Sequence, residues 1–243
     1  MRIIDIFYWP TLDLFLWGVI TVYLNKVGGS GFNFVSVILG ALIFWYFFTR
    51  IQYGIIISFL EDVWTRNFIN LFASPLSVSE YVAGLVLSSI FKTIISLSFM
   101  AFLAFLLFSY NVFQLGFLIL PFAAVLFIFG IALGIVTTAI VLRFGPSSEF
   151  LAWSIPAALL PFSAVFYPLS ALPRVVQPLA KILPSTYVFE GMRSVVIYGS
   201  FDLSRLLISA FLSLITLFAA HWFIVKTYKT VLKRGLFTRF MTD

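Results

Sequence analysis

Apolar side chains run through this chain in long blocks, and the polar residues gather between the blocks instead of alternating within them. Residues 93–142 contain no Asp, Glu, Lys or Arg, residues 150–173 contain none, and His221 is the only titratable group in 206–225. A helix needs about 20 apolar residues to cross a bilayer. Barrel strands would instead show alternation over roughly ten residues. The pattern therefore predicts an all-α polytopic membrane protein with spans near residues 7–24, 34–58, 81–110, 115–142, 150–169 and 203–225. Residues 111–114 leave only a short turn between the third and fourth spans, which are expected to form a hairpin. No linker, internal repeat or second domain interrupts residues 1–243.

Two connecting segments are more informative than the spans. In 61–79, Trp64, Phe68, Leu71 and Phe72 recur at i, i+4, i+7 and i+8, with Asp62, Thr65, Arg66, Asn67 and Asn70 between them. That spacing predicts a short amphipathic helix lying on the membrane surface. On pattern alone it either joins two spans or carries a function. Pro75 stops it, because the residue before proline is pushed out of the helical region, and Ser77 with Glu80 forms a capping box for the third span. In 162–200, Pro168, Pro173, Pro178 and Pro184 follow Pro161 closely, so no continuous helix is expected. Residues 164–172 and 175–183 nevertheless stay apolar. Irregular backbone at membrane depth survives only where protein or a water-filled cavity covers it, so short helices packed on neighbouring spans and dipping into the outer leaflet are expected.

Composition and charge sharpen this picture. Hydrophobic residues make up 62% of the 243 and charged residues 10%, against roughly 45–50% and about 25% in soluble domains. An aqueous core of this size would leave much of that apolar surface uncovered. The chain has no cysteine, which removes disulfides and thiolate metal sites. The net charge is +6, and five of the fifteen basic residues lie in 226–243. They show no interleaved aromatic patch for nucleic acid and read as an anchor on anionic lipid. Asp5 and Asp13 stand where a cleavable signal peptide would be basic. With the N-terminus inside, Arg2, Arg66, Arg143, Lys226, Lys229, Lys233, Arg234 and Arg239 fall on the cytoplasmic side, against Lys26, Arg174, Lys181, Arg193 and Arg205 outside. The excess of inner basic residues places both termini in the cytoplasm.

Candidate chemistry is sparse. A P-loop needs G-x-x-x-x-G-K-[ST] to cradle phosphates. Gly28-Gly29-Ser30-Gly31 lacks the lysine, so ATP hydrolysis is not expected on this chain. The single histidine, His221, has no second imidazole for zinc. Ser30 and His221 invite comparison with rhomboid-like intramembrane serine proteases. The expected spans place them near opposite faces of a bilayer about 30 Å thick, beyond hydrogen-bond reach. Asp13, Arg50 and Lys92 interrupt apolar runs, and each costs roughly 2.5–3.5 kcal/mol at mid-membrane. They are candidates either for ion pairs with one another or with Glu61 and Asp62, or for cargo contacts. Phe44-Trp45-Tyr46-Phe47-Phe48 forms an aromatic cluster that suits either a cargo path or lipid-facing packing.

Taken together, the two connecting segments resemble ABC-2 type transporter permeases. Glu61 and Asp62 before a stretch that ends in Ser74-Pro75-Leu76-Ser77 resemble that family's inner loop. Pro161-Phe-Ser-Ala-Val-Phe166-Tyr167-Pro168-Leu-Ser-Ala-Leu-Pro173, with Gln177-Pro178 and Leu183-Pro184, is similar to its outer motif, and Glu190-Gly-Met-Arg193 fits its Glu-x-x-Arg. The resemblance implies a permease subunit of an ATP-binding-cassette exporter in the bacterial inner membrane. It implies a partner permease copy (most simply a homodimer) and two ATPase subunits that carry ATP and Mg, with no cofactor on this chain. Glu61, Asp62, Trp64, Arg66, Phe68, Ser74 and Pro75 would then couple to the ATPase. Pro161, Phe166, Tyr167, Pro168, Pro173, Glu190 and Arg193 would shape the outer gate. Many members begin with a longer basic amphipathic helix, whereas this chain reaches apolar sequence by Ile3. Cargo stays open among amphipathic, drug-like, lipid and glycan molecules. The competing reading is an ATP-independent secondary transporter or channel, which would favour a carboxylate at mid-membrane.

Overall fold

A computed structural model describes residues 2–27, 38–65, 67, 75–111 and 116–234, with backbone alone at 2–6 and 146. In chain order the helices are α1 (Arg2–Val27), α2 (Gly40–Trp64), α3 (Val78–Phe108), α4 (Leu120–Phe144), α5 (Leu151–Leu159), α6 (Gln177–Ala180), α7 (Pro184–Tyr198) and α8 (Leu203–Lys233). Five stretches among the described residues are long and apolar enough to cross a membrane: Phe7–Val27, Gly40–Trp64, Val78–Phe108, Phe117–Phe144 and Leu203–Lys233. The described residues contain no strand. The protein is an all-α polytopic membrane protein.

Local chemistry sets several helix ends. The Ser77 hydroxyl accepts from the Glu80 amide at 3.3 Å and the Glu80 carboxylate accepts from the Ser77 amide at 2.8 Å, so the expected capping box opens α3. Ser109 ends α3 in the left-handed region at φ 52°. Asp202 caps α8 by accepting from the Arg205 amide at 3.0 Å. Pro184 begins α7 instead of breaking it, because the first helical position has no intrahelical use for an N–H. In 162–200 the helix is interrupted, as expected, into a 3-10 turn over Leu169–Ala171, the four residues of α6 and the fifteen of α7.

Packing centres on α4, which lies against α8, α2 and α7. Two glycines let α2 approach it closely. A Cβ at Gly130 would sit 2.4 Å from Ile51 Cγ2 and 2.8 Å from the Phe48 carbonyl, and one at Gly134 would sit 2.9 Å from Ile55 Cδ1. Small residues four apart serve this purpose in membrane bundles, where van der Waals packing replaces the hydrophobic drive between helices. The expected α3–α4 hairpin is not the main packing unit. α3 packs chiefly on α2 and α1, and its Val82 shares an apolar cluster with Ala132 and Ile135 of α4 and Ala220 and Ile224 of α8. α2 and α8 take most of the contact with α4, and the glycines of α4 let the α2 backbone come close.

The fifth expected span needs correction. Helix stops at Phe162, after α5 and a 3-10 turn over Leu160–Phe162, instead of reaching 169. A helix rises about 1.5 Å per residue, so Leu151–Phe162 is too short for a straight crossing. Pro156 and Pro161 weaken the helical ladder, the Ser163 hydroxyl bonds back to the Leu159 carbonyl at 2.8 Å, and Ala164 adopts φ 52°. Pro156 also leaves the Ala152 carbonyl without its i+4 donor. The Gln52 side-chain amide, on α2, donates to that carbonyl at 3.3 Å and to Thr137 Oγ1 at 3.3 Å. A neighbouring helix thus supplies the hydrogen bond that proline removes, as irregular backbone within a bundle requires.

Candidate functional site

Most of the expected site residues that the structure describes fall at two ends of the bundle. One end gathers the chain from Pro161 to Pro173, α7 and the start of α8; the other gathers the last turn of α2, the first of α3 and the ends of α4 and α8.

At the first end, Arg193 is the hub. Its guanidinium meets Glu190 at 2.6 Å and donates to the carbonyls of Ala164 at 2.8 Å, Val165 at 3.2 Å and Tyr167 at 3.0 Å. Glu190 in turn accepts from the Leu169 amide at 2.9 Å. These bonds satisfy backbone groups that the broken helix leaves over. Burial holds Arg193 below its ordinary pKa, with the charge of Glu190 opposing it in part; a guanidinium titrates so high that it still stays protonated and able to donate. Arg205 closes the cluster by donating to the Glu190 carbonyl at 3.0 Å and to Ser194 Oγ at 2.7 Å, with Asp202 3.1 Å from its Nε.

Phe166 stacks on Trp17 of α1 with ring centroids 4.9 Å apart, tying the broken segment to the first span. Tyr167 donates its hydroxyl to the Pro161 carbonyl. Pro168 precedes a 3-10 turn over Leu169–Ala171, and Pro173 is exposed with its carbonyl accepting from Val176 at 2.8 Å. Beneath them Val188, Phe189, Met192 and Val195 of α7 pack with Phe44 and Phe48 of α2 and Phe122 of α4. Gly191 admits the Phe122 ring, whose Cε1 would stand 2.3 Å from a Cβ there. Part of the Phe44–Phe48 aromatic cluster is therefore core.

At the second end, Glu61, Asp62 and Trp64 lie in the last turn of α2. The start of the expected surface segment is thus the continuation of a span, because nothing before Thr65 breaks the helical pattern. Arg66, Phe68 and Ser74 lie outside the described residues, as does Ser30 of the protease comparison. Pro75 is exposed, two residues before the α3 cap. Asp62 accepts from the Tyr81 hydroxyl at 2.8 Å and from Asn67 Nδ2 at 3.3 Å. Lys92 donates to Ser58 Oγ at 3.1 Å and stands 3.9 Å from Glu61. Of the expected ion pairs, Lys92 with Glu61 is present. Trp64 is 49% exposed, a large ring with little cover. Between Phe59, Leu76, Val78, Tyr81, Leu142, Ile224 and Tyr228 lies a narrow apolar cleft.

Asp13 and Arg50 belong to neither end. Both lie within electrostatic reach of the Tyr46 hydroxyl, which also shares a hydrogen bond with Ser96. They form a polar seam among α1, α2 and α3. His221 is exposed on α8.

Several structural contributors escape a reading of the sequence by motif. Arg205 and Asp202 are charged residues at a span boundary with no spacing that ties them to Glu190. Tyr81 follows the capping glutamate but lies nineteen positions from Asp62. Gln52 is a lone amide in an apolar run. Gly130 and Gly134 do carry a legible signal, the four-residue spacing of close helix packing.

A search of curated proteins gives no match to the chain. A scan of family models matches residues 1–197 to the ABC-2 type transporter family. The match takes in α1 through nearly all of α7, including Glu61, Asp62 and Trp64 at one end and Glu190 and Arg193 at the other, and leaves out α8. The chain belongs to the ABC-2 type transporter family and is an integral membrane component of ABC-type transport.

Proposed function

We propose that this chain is the permease of an ABC exporter, working as a pair of copies with two separate ATPase subunits. ATP and Mg bind on the ATPases, and this chain carries no cofactor. It sits in the bacterial inner membrane with both termini in the cytoplasm, so that Glu61, Asp62, Trp64, Arg66, Phe68, Ser74 and Pro75 face the ATPase. The residues around Glu190 and Arg193 then form the outer gate. An amphipathic cargo (a drug-like molecule, a lipid or a glycan) leaves past that gate.

The observation that carries this reading is the family match over residues 1–197, and the course of α2 suggests how force crosses the membrane. α2 is one unbroken helix from Gly40 to Trp64, about 37 Å long at 1.5 Å per residue. Its far half packs on α7 through Phe44 and Phe48, with Trp45 tilted against Phe189 at 6.2 Å. Its middle holds α5 through Gln52. A push at Glu61 and Trp64 travels along a rigid rod into the helices beside the gate. Tyr81 and Lys92 fasten the same turn to α3, so α2 and α3 move together.

Single-cysteine labelling tests the sidedness. The chain has no cysteine, so Trp64→Cys and Lys181→Cys each report one position. A membrane-impermeant maleimide added to intact cells is expected to label Lys181→Cys and spare Trp64→Cys. The reverse pattern contradicts the proposal.

A further inference from the structure

The buried face of α8 carries Ser209, Ser213, Ala220, Ile224, Thr227 and Val231. Its opposite face has no helix packed on it among the described residues and changes character along its length. Phe211, Phe218 and Trp222 are 65%, 72% and 62% exposed. One turn beyond, Lys226, Lys229 and Lys233 continue the same face and are also exposed. The steps from 211 through 218, 222, 226 and 229 to 233 are of seven, four, four, three and four residues, the repeat of one helix face. Lys226 Nζ lies 4.6 Å from the centroid of the Trp222 ring, and a shallow groove runs beside Val225, Lys229, Thr230 and Lys233. None of the three lysines is in an ion pair among the described residues. Their ammonium groups span roughly 10 Å along the axis, at 1.5 Å per residue.

We propose that this face binds an anionic phospholipid, with its phosphate held by Lys226, Lys229 and Lys233 and its acyl chains laid along Trp222, Phe218 and Phe211. The commitment to lipid follows from the continuity of the face. An acidic protein would satisfy the lysines but leave the aromatic strip below them bare. A free phosphate ion would do the same. A phospholipid matches both parts in one molecule. With the lysines at the headgroups, Trp222 one turn earlier would take the place tryptophan prefers, between acyl chains and headgroups. Its ring also holds the Lys226 ammonium by a cation–π contact, which leaves fewer conformations to be lost on binding. The site does not depend on which way the chain is inserted.

The test uses the full-length protein purified in dodecyl maltoside and titrated with phosphatidylglycerol or phosphatidylcholine, bound lipid being counted by native mass spectrometry. Each lysine near an anionic headgroup contributes about a fivefold gain, the factor equivalent to about 1 kcal/mol. The wild-type chain is therefore expected to prefer phosphatidylglycerol on the order of a hundredfold. Lys226→Gln with Lys229→Gln and Lys233→Gln together should abolish that preference, and the three corresponding arginine changes should keep it. Trp222→Leu should weaken binding by a few fold. Three results overturn the proposal: an undiminished preference in the glutamine variant, loss of preference in the arginine variant, or full displacement of the lipid by inorganic phosphate at equal concentration. No ATPase or transport enters the measurement, so its failure leaves the permease reading untouched.

Discussion

The two ends of the bundle hold their polar groups in different ways. At the Glu190 end, one guanidinium serves a carboxylate and three carbonyls within 3.2 Å, and α7 buries its apolar side against α2 and α4. At the Glu61 end the ion pair stretches to 3.9 Å, Trp64 is half exposed and an apolar cleft opens among four helix ends. Buried polar groups carry a large penalty when left unpaired, so the first end is a frame in which each part depends on Arg193. The second is loosely tied and offers apolar surface, the character of a face that receives a partner. The difference teaches that the broken chain around Pro161 is held by one dense cluster, whereas the turn carrying Glu61 is held to α3 through Tyr81 and Lys92 beside exposed apolar surface.

The largest effect should come from Arg193→Ala, which strips the donor from three carbonyls and from Glu190. A loss of roughly 3 kcal/mol is expected in detergent unfolding, because partly buried charges and carbonyls are left unpaired. Arg193→Lys should recover only part of it, since an ammonium cannot reproduce the guanidinium fork. If both variants unfold like the wild type, the frame is not as described.

Gly130→Val comes next. The new side chain meets Ile51 and the Phe48 carbonyl, and overpacking of this kind costs about 1–3 kcal/mol. It should weaken both ends alike, since α2 runs between them. Chemical denaturation of the purified protein provides the readout.

Gln52→Leu should cost about 1–2 kcal/mol by leaving the Ala152 carbonyl without a donor. Adding Pro156→Ala to that variant restores an N–H to α5 and should recover most of the loss. Absence of this rescue would mean that Gln52 acts through packing alone.

The smallest change in stability, about 1 kcal/mol or less, is expected of Tyr81→Phe at the loosely tied end. Its proposed consequence is functional: ATP hydrolysis by the partner continues while export falls, because α2 and α3 no longer move as one. Parallel assays of hydrolysis and transport in vesicles separate the two outcomes. Equal losses of hydrolysis and export would place Tyr81 in ATPase docking instead.

Much of this architecture was legible in the sequence because lipid imposes a simple rule on side chains. Runs such as 93–142 have one reading in a bilayer, and Ser77 with Glu80 announces the start of α3 through local chemistry alone. The short α5 was harder to see. Apolar sequence continues past Phe162 to Leu172, so hydropathy gives no stop, and the end depends on Ala164 and on carbonyls that Arg193 collects from almost thirty residues away. The continuation of α2 through Glu61 was hidden by the opposite effect. Polar residues at 61 and 62 look like a boundary, yet Asp62 is held by Tyr81 and Glu61 lies near Lys92. Glu190 and Arg193 were visible as a pair at helical spacing, but the addition of Arg205 is a product of the tertiary fold.

The central claim is that the end bearing Glu61 and Trp64 seats a separate ATPase. Co-expression with a candidate ABC ATPase, followed by affinity purification through the permease, measures it directly. The wild-type chain should retain the ATPase, and Glu61→Ala combined with Trp64→Ala should lose most of it while remaining folded. Full retention by that double variant, or cargo export by the purified chain with no ATPase present, would contradict the account.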